Sequence, residues 1–120
     1  MFEFAILRYL PKHVDQVEQV FKALADTTRR QVIERLASGP ASTSELAEPF
    51  GMALPSFTQH LALLEGASLV MSIKQGRIRT YRLAPTGLDA AERWLASQRR
   101  SWEQRLDQLD QFLIKRKDTT

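Results

Sequence analysis

After Gly66 the period of the sequence changes, and this limits the fold more than any other feature of the chain. Before that point apolar residues recur three and four positions apart, as on one face of a helix. Beyond it, "LVMSIK" and "RIRTYRL" are β-branched runs that alternate every second residue, and Gln75-Gly76 joins them as the turn of a hairpin. Pro85 then opens a long helical segment in which Leu88, Leu95, Trp102, Leu106, Leu109 and Leu113 form one stripe. The expected class is mainly α with a small β-hairpin. One face of the second strand offers Ile78 and Thr80, and the other offers Arg77, Arg79 and Tyr81.

Start and stop signals divide the first half into short helices. Residues 14–24 place Val17, Val20, Phe21 and Leu24 on one face. Asp26 is a good N-cap for "TTRRQVIERLAS", which turns Val32, Ile33 and Leu36 inward until Ser38-Gly39-Pro40 stops it. Ser42 and Glu45 have the spacing of a capping box, in which each side chain satisfies an exposed amide of the other. The very short helix they open ends at Pro49-Phe50-Gly51. Next comes "LPSFTQHLALLE", with Leu54, Phe57, Leu61 and Leu64 expected to face a core. Its other face shows Pro55, Ser56, Gln59, His60 and Leu63, where a surface helix ordinarily carries Lys and Glu. Ala53 stands where a capping side chain would, an omission that typically costs ~1 kcal/mol.

Charge is distributed unevenly. Residues 1–68 carry six Lys/Arg against eight Asp/Glu, and residues 83–120 carry seven against six. Residues 69–82 hold Lys74, Arg77, Arg79 and Arg82 and no acid, so this short segment carries the excess positive charge, as expected of a surface that meets a polyanion. The chain of 120 residues is long enough for one domain with one core. It has no cysteine, which removes disulfides, thiolate metal ligands and thiol redox sensing. The apolar start "MFEFAILRYL" carries Glu3 and Arg8, is too short to span a bilayer and lacks the features of a signal peptide. A cytoplasmic protein without a membrane partner is expected.

Two short helices joined by a tight turn and followed by a basic hairpin make a helix-turn-helix with a wing. That arrangement explains the uncharged helix face. Gln can pair with adenine, and a Ser or Thr hydroxyl can meet several bases, so a groove-reading helix needs no strong charge if its neighbours hold the phosphates. Ser56, Gln59 and His60 are the candidate base-reading residues, and Lys74, Arg77 and Arg79 the candidate phosphate anchors. Some residues have a second reading. His60 either contacts DNA or hydrogen-bonds within the helix-turn-helix frame. Arg29 and Arg30 either hold phosphate or pair with Asp26 or Glu34. Leu63 either packs under the wing or touches a thymine methyl, and Tyr81 is expected to pack.

The run from Val17 to Leu83 resembles the ArsR/SmtB family of winged helix-turn-helix repressors. The resemblance is carried by "ALADTTRR" at 23–30, by "SELA", by Thr58-Gln-His-Leu61 with Leu64-Glu65, and by the Arg-rich hairpin. It implies a homodimeric repressor that dimerises through its terminal helices and binds an inverted-repeat operator in double-stranded DNA, often at its own promoter. It adds Thr58 to the candidate DNA contacts. The Cys-x-Cys-Asp-Leu motif of metal-sensing members is here Ser42-Thr-Ser-Glu-Leu46, and no His follows His60, so neither a metal nor another cofactor is expected. The expected division is an extension at 1–13, the DNA-binding domain at 14–84, a dimerisation helix at 85–114 and a disordered tail at 115–120. An enzyme is not expected, because no nucleophile with His, carboxylate pair or phosphate-binding glycine loop stands at a useful spacing. The competing expectation is a winged-helix protein-interaction module without DNA binding, in which Arg77 and Arg79 could be neutralised harmlessly.

Overall fold

The structure is a computed structural model that describes residues 16–118, so the expected extension at 1–13 lies outside the described residues. Helix α1 occupies 16–24 of the described chain. It is followed by α2 (Thr27–Leu36), β1 (Ala41–Ser42), α3 (Thr43–Ala47), a 3₁₀ turn at Glu48–Phe50, α4 (Leu54–Gly66), β2 (Val70–Gln75), β3 (Ile78–Leu83) and α5 (Pro85–Asp118). The predicted caps explain two of these starts. The Asp26 carboxylate accepts the Arg29 amide at 3.1 Å at the head of α2. Ser42 and Glu45 form the reciprocal capping box of α3, at 3.2 and 3.1 Å.

The core lies between the short helices and the root of the hairpin. It joins Val20 and Ala23 of α1, Val32 and Leu36 of α2, Leu46 of α3, Phe57, Leu61 and Leu64 of α4, and Leu69, Val70 and Tyr81. Phe50 stacks on Phe57 with ring centroids 5.5 Å apart, fixing the 3₁₀ turn to the start of α4. Leu54 is not part of this core, against the helical-spacing expectation; it is 54% exposed. It is the first residue of α4, one turn before Phe57, and its spacing gives it the right azimuth beyond the end of the packed region. Ile33 and Phe21 are likewise only partly covered or exposed.

The hairpin gains a third strand that periodicity did not reveal. Two-residue β1 pairs antiparallel with β3, Ala41 opposite Tyr81 and Ser42 opposite Thr80, giving the order β1-β3-β2. A two-residue strand is too short to show an alternating pattern. Between β2 and β3 the register sets Gln75 opposite Ile78, so the loop is Gly76-Arg77 and not Gln75-Gly76. Gly76 has φ +63°, as the first position of a type II′ turn requires, and Arg77 occupies the tip.

Helix α5 docks by its first turns and then leaves the domain. The Gly87 amide donates to the Ser68 carbonyl at 2.9 Å, and a Cβ on Gly87 would lie 2.2 Å from the Ala67 carbonyl oxygen. Ala91 is buried, and Trp94 meets Phe21 of α1 edge-on with centroids 5.7 Å apart. The remaining turns project outward. The radius of gyration is 20.8 Å, against about 14 Å for a compact domain of this length. The helix reaches Asp118, so residues 115–118, expected as a disordered tail, continue α5; in "QFLIKRKD" no Gly or Pro breaks it.

Candidate nucleic-acid interface

The exposed face of α4 and the inner face of the hairpin meet at the end of α4. Leu61 and Leu64 hold α4 down, which leaves Ser56, Thr58, Gln59 and Leu63 in solvent. The first charged side chain on the helix is Glu65. No side chain caps the start of α4, and Pro55 lies in its first turn. The Phe57 amide bonds the Ala53 carbonyl at 3.1 Å. Thr58 donates its hydroxyl to the Pro55 carbonyl at 2.9 Å. The side chains of Ser56 and Gln59 make no hydrogen bond with any described residue and are free to reach a partner.

His60 has a different setting. Its side chain is 21% exposed, and Nδ1 lies 2.9 Å from an Arg29 guanidinium nitrogen and 3.8 Å from the Asp26 carboxylate. Of its two readings from sequence, the structure displays the one within the helix-turn-helix frame. Neither expected partner of Arg29 and Arg30 receives their guanidinium groups. Arg29 donates to the carbonyls of Ala23 and Lys22, and Arg30 to that of Leu24, all in the last turns of α1. The hydrogen bond from the Arg29 amide chiefly holds the Asp26 carboxyl below its ordinary range; burial opposes it next, and the Arg29 charge and His60 lower it further.

On the hairpin, strand parity puts Ser72, Lys74, Arg79 and Tyr81 on one face. Lys74 and Arg79 stand directly opposite each other, an arrangement of like charges that disfavours the hairpin by itself. Arg79 donates to the Ser72 hydroxyl at 2.9 Å, and Ser72 in turn donates to the Glu65 carboxylate of α4. The side chains of Lys74 and Arg77 make no hydrogen bond or ion pair with any described residue. Tyr81 is buried as expected at the root. Its phenol is pushed up chiefly by burial and next by the Glu65 charge. The Glu65–Ser72–Arg79 chain, which fixes the wing to the end of α4, was missed in the sequence. The signal was available in the parity of Ser72 with Lys74, but the partner on α4 required the docking angle.

The comparisons with known proteins agree with this geometry. Residues 24–73 match a family profile described as a helix-turn-helix domain. Over 73 residues the chain is 45% identical to the HTH-type transcriptional regulator Rv2034 of Mycobacterium tuberculosis, covering 61% of this chain and 68% of that one. The crystal structure of an ArsR family transcriptional regulator aligns at 49% identity with a TM-score of 0.71, over 74% of this chain and 92% of that one. This chain belongs to the ArsR family. Its fold is therefore that of the winged helix-turn-helix transcriptional regulators, a family of regulators and not of enzymes. A third likeness is the solution structure of a homodimeric winged helix-turn-helix DNA-binding domain from Mycobacterium bovis, 33% identical, with a TM-score of 0.56 over 76% of this chain and 82% of that one.

Two further observations bear on ArsR proteins in particular. Among the described residues, no three His, Asp or Glu side chains gather where they could hold a metal ion. The Ser42 hydroxyl is engaged in the α3 capping box. Among the described residues no helix is long and apolar enough to cross a membrane.

Proposed function

We propose that this protein is a cytoplasmic, homodimeric repressor that binds an inverted repeat in double-stranded DNA, its own promoter among the sites, without needing a metal. The observation that carries the proposal is the pairing of an uncharged polar helix face with an adjoining hairpin whose cations lack acids. Ser56 and Gln59 of α4 read base edges in the major groove, with Thr58 beside them. Lys74, Arg77 and Arg79 neutralise phosphates, which offsets the repulsion built into the Lys74–Arg79 pair. The exposed apolar stripe of α5 supplies the subunit contact, and its two-fold axis sets two copies of α4 about 34 Å apart, one DNA turn. Occupancy then blocks transcription from the bound promoter.

Fluorescence anisotropy with DNA from upstream of the gene, beside a scrambled duplex, tests this reading. Tight binding to the upstream duplex alone is expected, and with about eight phosphate contacts log affinity should fall with log salt at a slope near −7. Chelator or added zinc should leave the curves unchanged. Neutralising Arg77 and Arg79 should weaken binding to both duplexes and flatten the slope. Equal binding to both duplexes at every salt concentration would reject sequence-specific recognition, and an unaltered function after neutralisation would favour a protein-interaction role.

A further inference from the structure

The Arg29 guanidinium, carried on α2, touches two other elements at once. Nε donates to the Ala23 carbonyl at 2.8 Å and one terminal nitrogen to the Lys22 carbonyl at 3.0 Å, both at the end of α1. The other terminal nitrogen lies 2.9 Å from Nδ1 of His60 on α4. The main chain of Arg29 is itself held, since its amide donates to Asp26 at the head of α2. We propose that Arg29 is a positioning residue that fixes the rotation of α4 about its own axis from the end of α1, and that His60 Nδ1 is the acceptor through which it acts. This inference rests on the reading of α4 as the DNA-recognition helix.

The geometry is restrictive because the guanidinium is planar and rigid. The last carbonyls of a helix lack partners within it, and a cation is favoured there. Two bonds to such carbonyls set the plane of Arg29, so the third N–H has one direction left, and the imidazole must lie along it. His60 directly follows Gln59 and lies one turn after Ser56. At a helix radius of about 6 Å, a 20° rotation of α4 would shift its side-chain ends by about 2 Å. That exceeds the window of a hydrogen bond to a base edge. A contact that holds His60 therefore holds the reading face, while the buried Phe57, Leu61 and Leu64 supply non-directional packing.

The link has a second consequence. A guanidinium has only donors, so His60 Nδ1 must carry its lone pair toward Arg29. Because α1 also bears Phe21 against Trp94 of α5, the Arg29 link runs from the element beside the proposed subunit contact to the helix that reads DNA.

The test measures binding of the full chain to upstream and scrambled duplexes at about pH 8. Wild type, Arg29→Gln, His60→Leu and His60→Asn are compared, with dimerisation and melting as controls. Arg29→Gln and His60→Leu should each lose about tenfold in affinity for the upstream duplex at pH 8, with little change on the scrambled one. His60→Asn, whose amide oxygen can accept from Arg29 in the place of Nδ1, should restore most of the affinity that His60→Leu loses. The His60 variants leave the carbonyl bonds of Arg29 intact, so they answer the question even if Arg29→Gln fails to fold. Equal losses on both duplexes would make Arg29 a phosphate contact, and a His60→Asn variant as weak on the upstream duplex as His60→Leu would overturn the acceptor role. Nitrogen chemical shifts of the His60 ring in the DNA-free protein give a separate answer. The proton is expected on Nε2 with Nδ1 as acceptor, a signature lost in Arg29→Gln; a protonated Nδ1 at pH 8 overturns the proposal. A failure of wild type to prefer the upstream duplex would instead count against the DNA reading alone.

Discussion

Helices α4 and α5 are both amphipathic, and only one of them covers its apolar face with its own chain. In α4, Phe57, Leu61 and Leu64 are fully buried. In the distal half of α5, Trp102, Leu106, Leu109 and Leu113 are all more than half exposed. Sequence spacing identified both stripes equally well, because period 3.6 specifies which residues share a face. It does not say whether the surface opposite belongs to the same molecule. The lesson is that one stripe encodes folding, whereas the other is the one proposed to encode assembly. Each can be broken without the other.

The largest effect is expected where burial is complete. Phe57→Ala removes a ring stacked on Phe50 from the centre of the core and should destabilise the domain by about 3–5 kcal/mol. Chemical denaturation would show it as a shift of the midpoint that persists at every protein concentration. Leu109→Glu on α5 should behave in the opposite way. It lies in solvent in a single chain, so domain stability should change by no more than about 0.5 kcal/mol. The dimer dissociation constant, read by sedimentation, should rise about thirtyfold, as for a residue at the centre of an interface. An unchanged dissociation constant would mean that the stripe is covered by something other than a second copy.

An intermediate case lies in α3, where no apolar stripe long enough to matter exists and capping substitutes for it. Ser42→Ala removes the hydroxyl that accepts the Glu45 amide and should cost about 1 kcal/mol. Glu45 is held below its ordinary range by the Ser42 amide first and the Ser42 hydroxyl second. Its folded value therefore lies below its unfolded one. The stabilisation it gives is present above the unfolded value, near pH 4.5, and is lost as the pH falls through the folded value. Urea midpoints from pH 7 to pH 3 should decline less steeply in Ser42→Ala than in wild type. Parallel curves would show that the Ser42 hydroxyl contributes nothing through Glu45.

The same distinction explains how much could be read from the sequence. Caps at Asp26 and Ser42, the hairpin and the buried faces of α2 and α4 were legible because their signals are local: a residue type, a spacing of three, an alternation of two. The uncharged face of α4 and the acid-free hairpin were legible for the same reason. What escaped needed two distant segments at once. Strand β1 is defined only by its pairing with β3, and the Glu65–Ser72–Arg79 chain only by the angle of the wing on α4. His60 kept two readings until Arg29 was placed beside it, thirty-one residues earlier in the chain. The tail differs in kind: no Gly or Pro in "KRKD" ends the helix before Asp118.

The smallest expected effect concerns the joint between the two helices. Helix α4 ends with the Leu69 amide bonded to the Leu64 carbonyl and the Ser68 amide to the Glu65 carbonyl, both at 3.0 Å, which is the Schellman pattern. The left-handed position in that pattern is usually Gly, and here it is Ser68, with φ +59°. A residue with a Cβ is strained there, by about 1–2 kcal/mol, while Gly loses more chain entropy on folding, by about 0.5–1 kcal/mol. Ser68→Gly should accordingly stabilise the domain by about 0.5–1 kcal/mol. The Ser68 carbonyl also receives the Gly87 amide of α5, and this main-chain contact is untouched by the substitution. Stability should therefore rise with no change in the dimer dissociation constant. A change in both would show that the joint couples the two helices, and that folding and assembly are less separable than their burial implies.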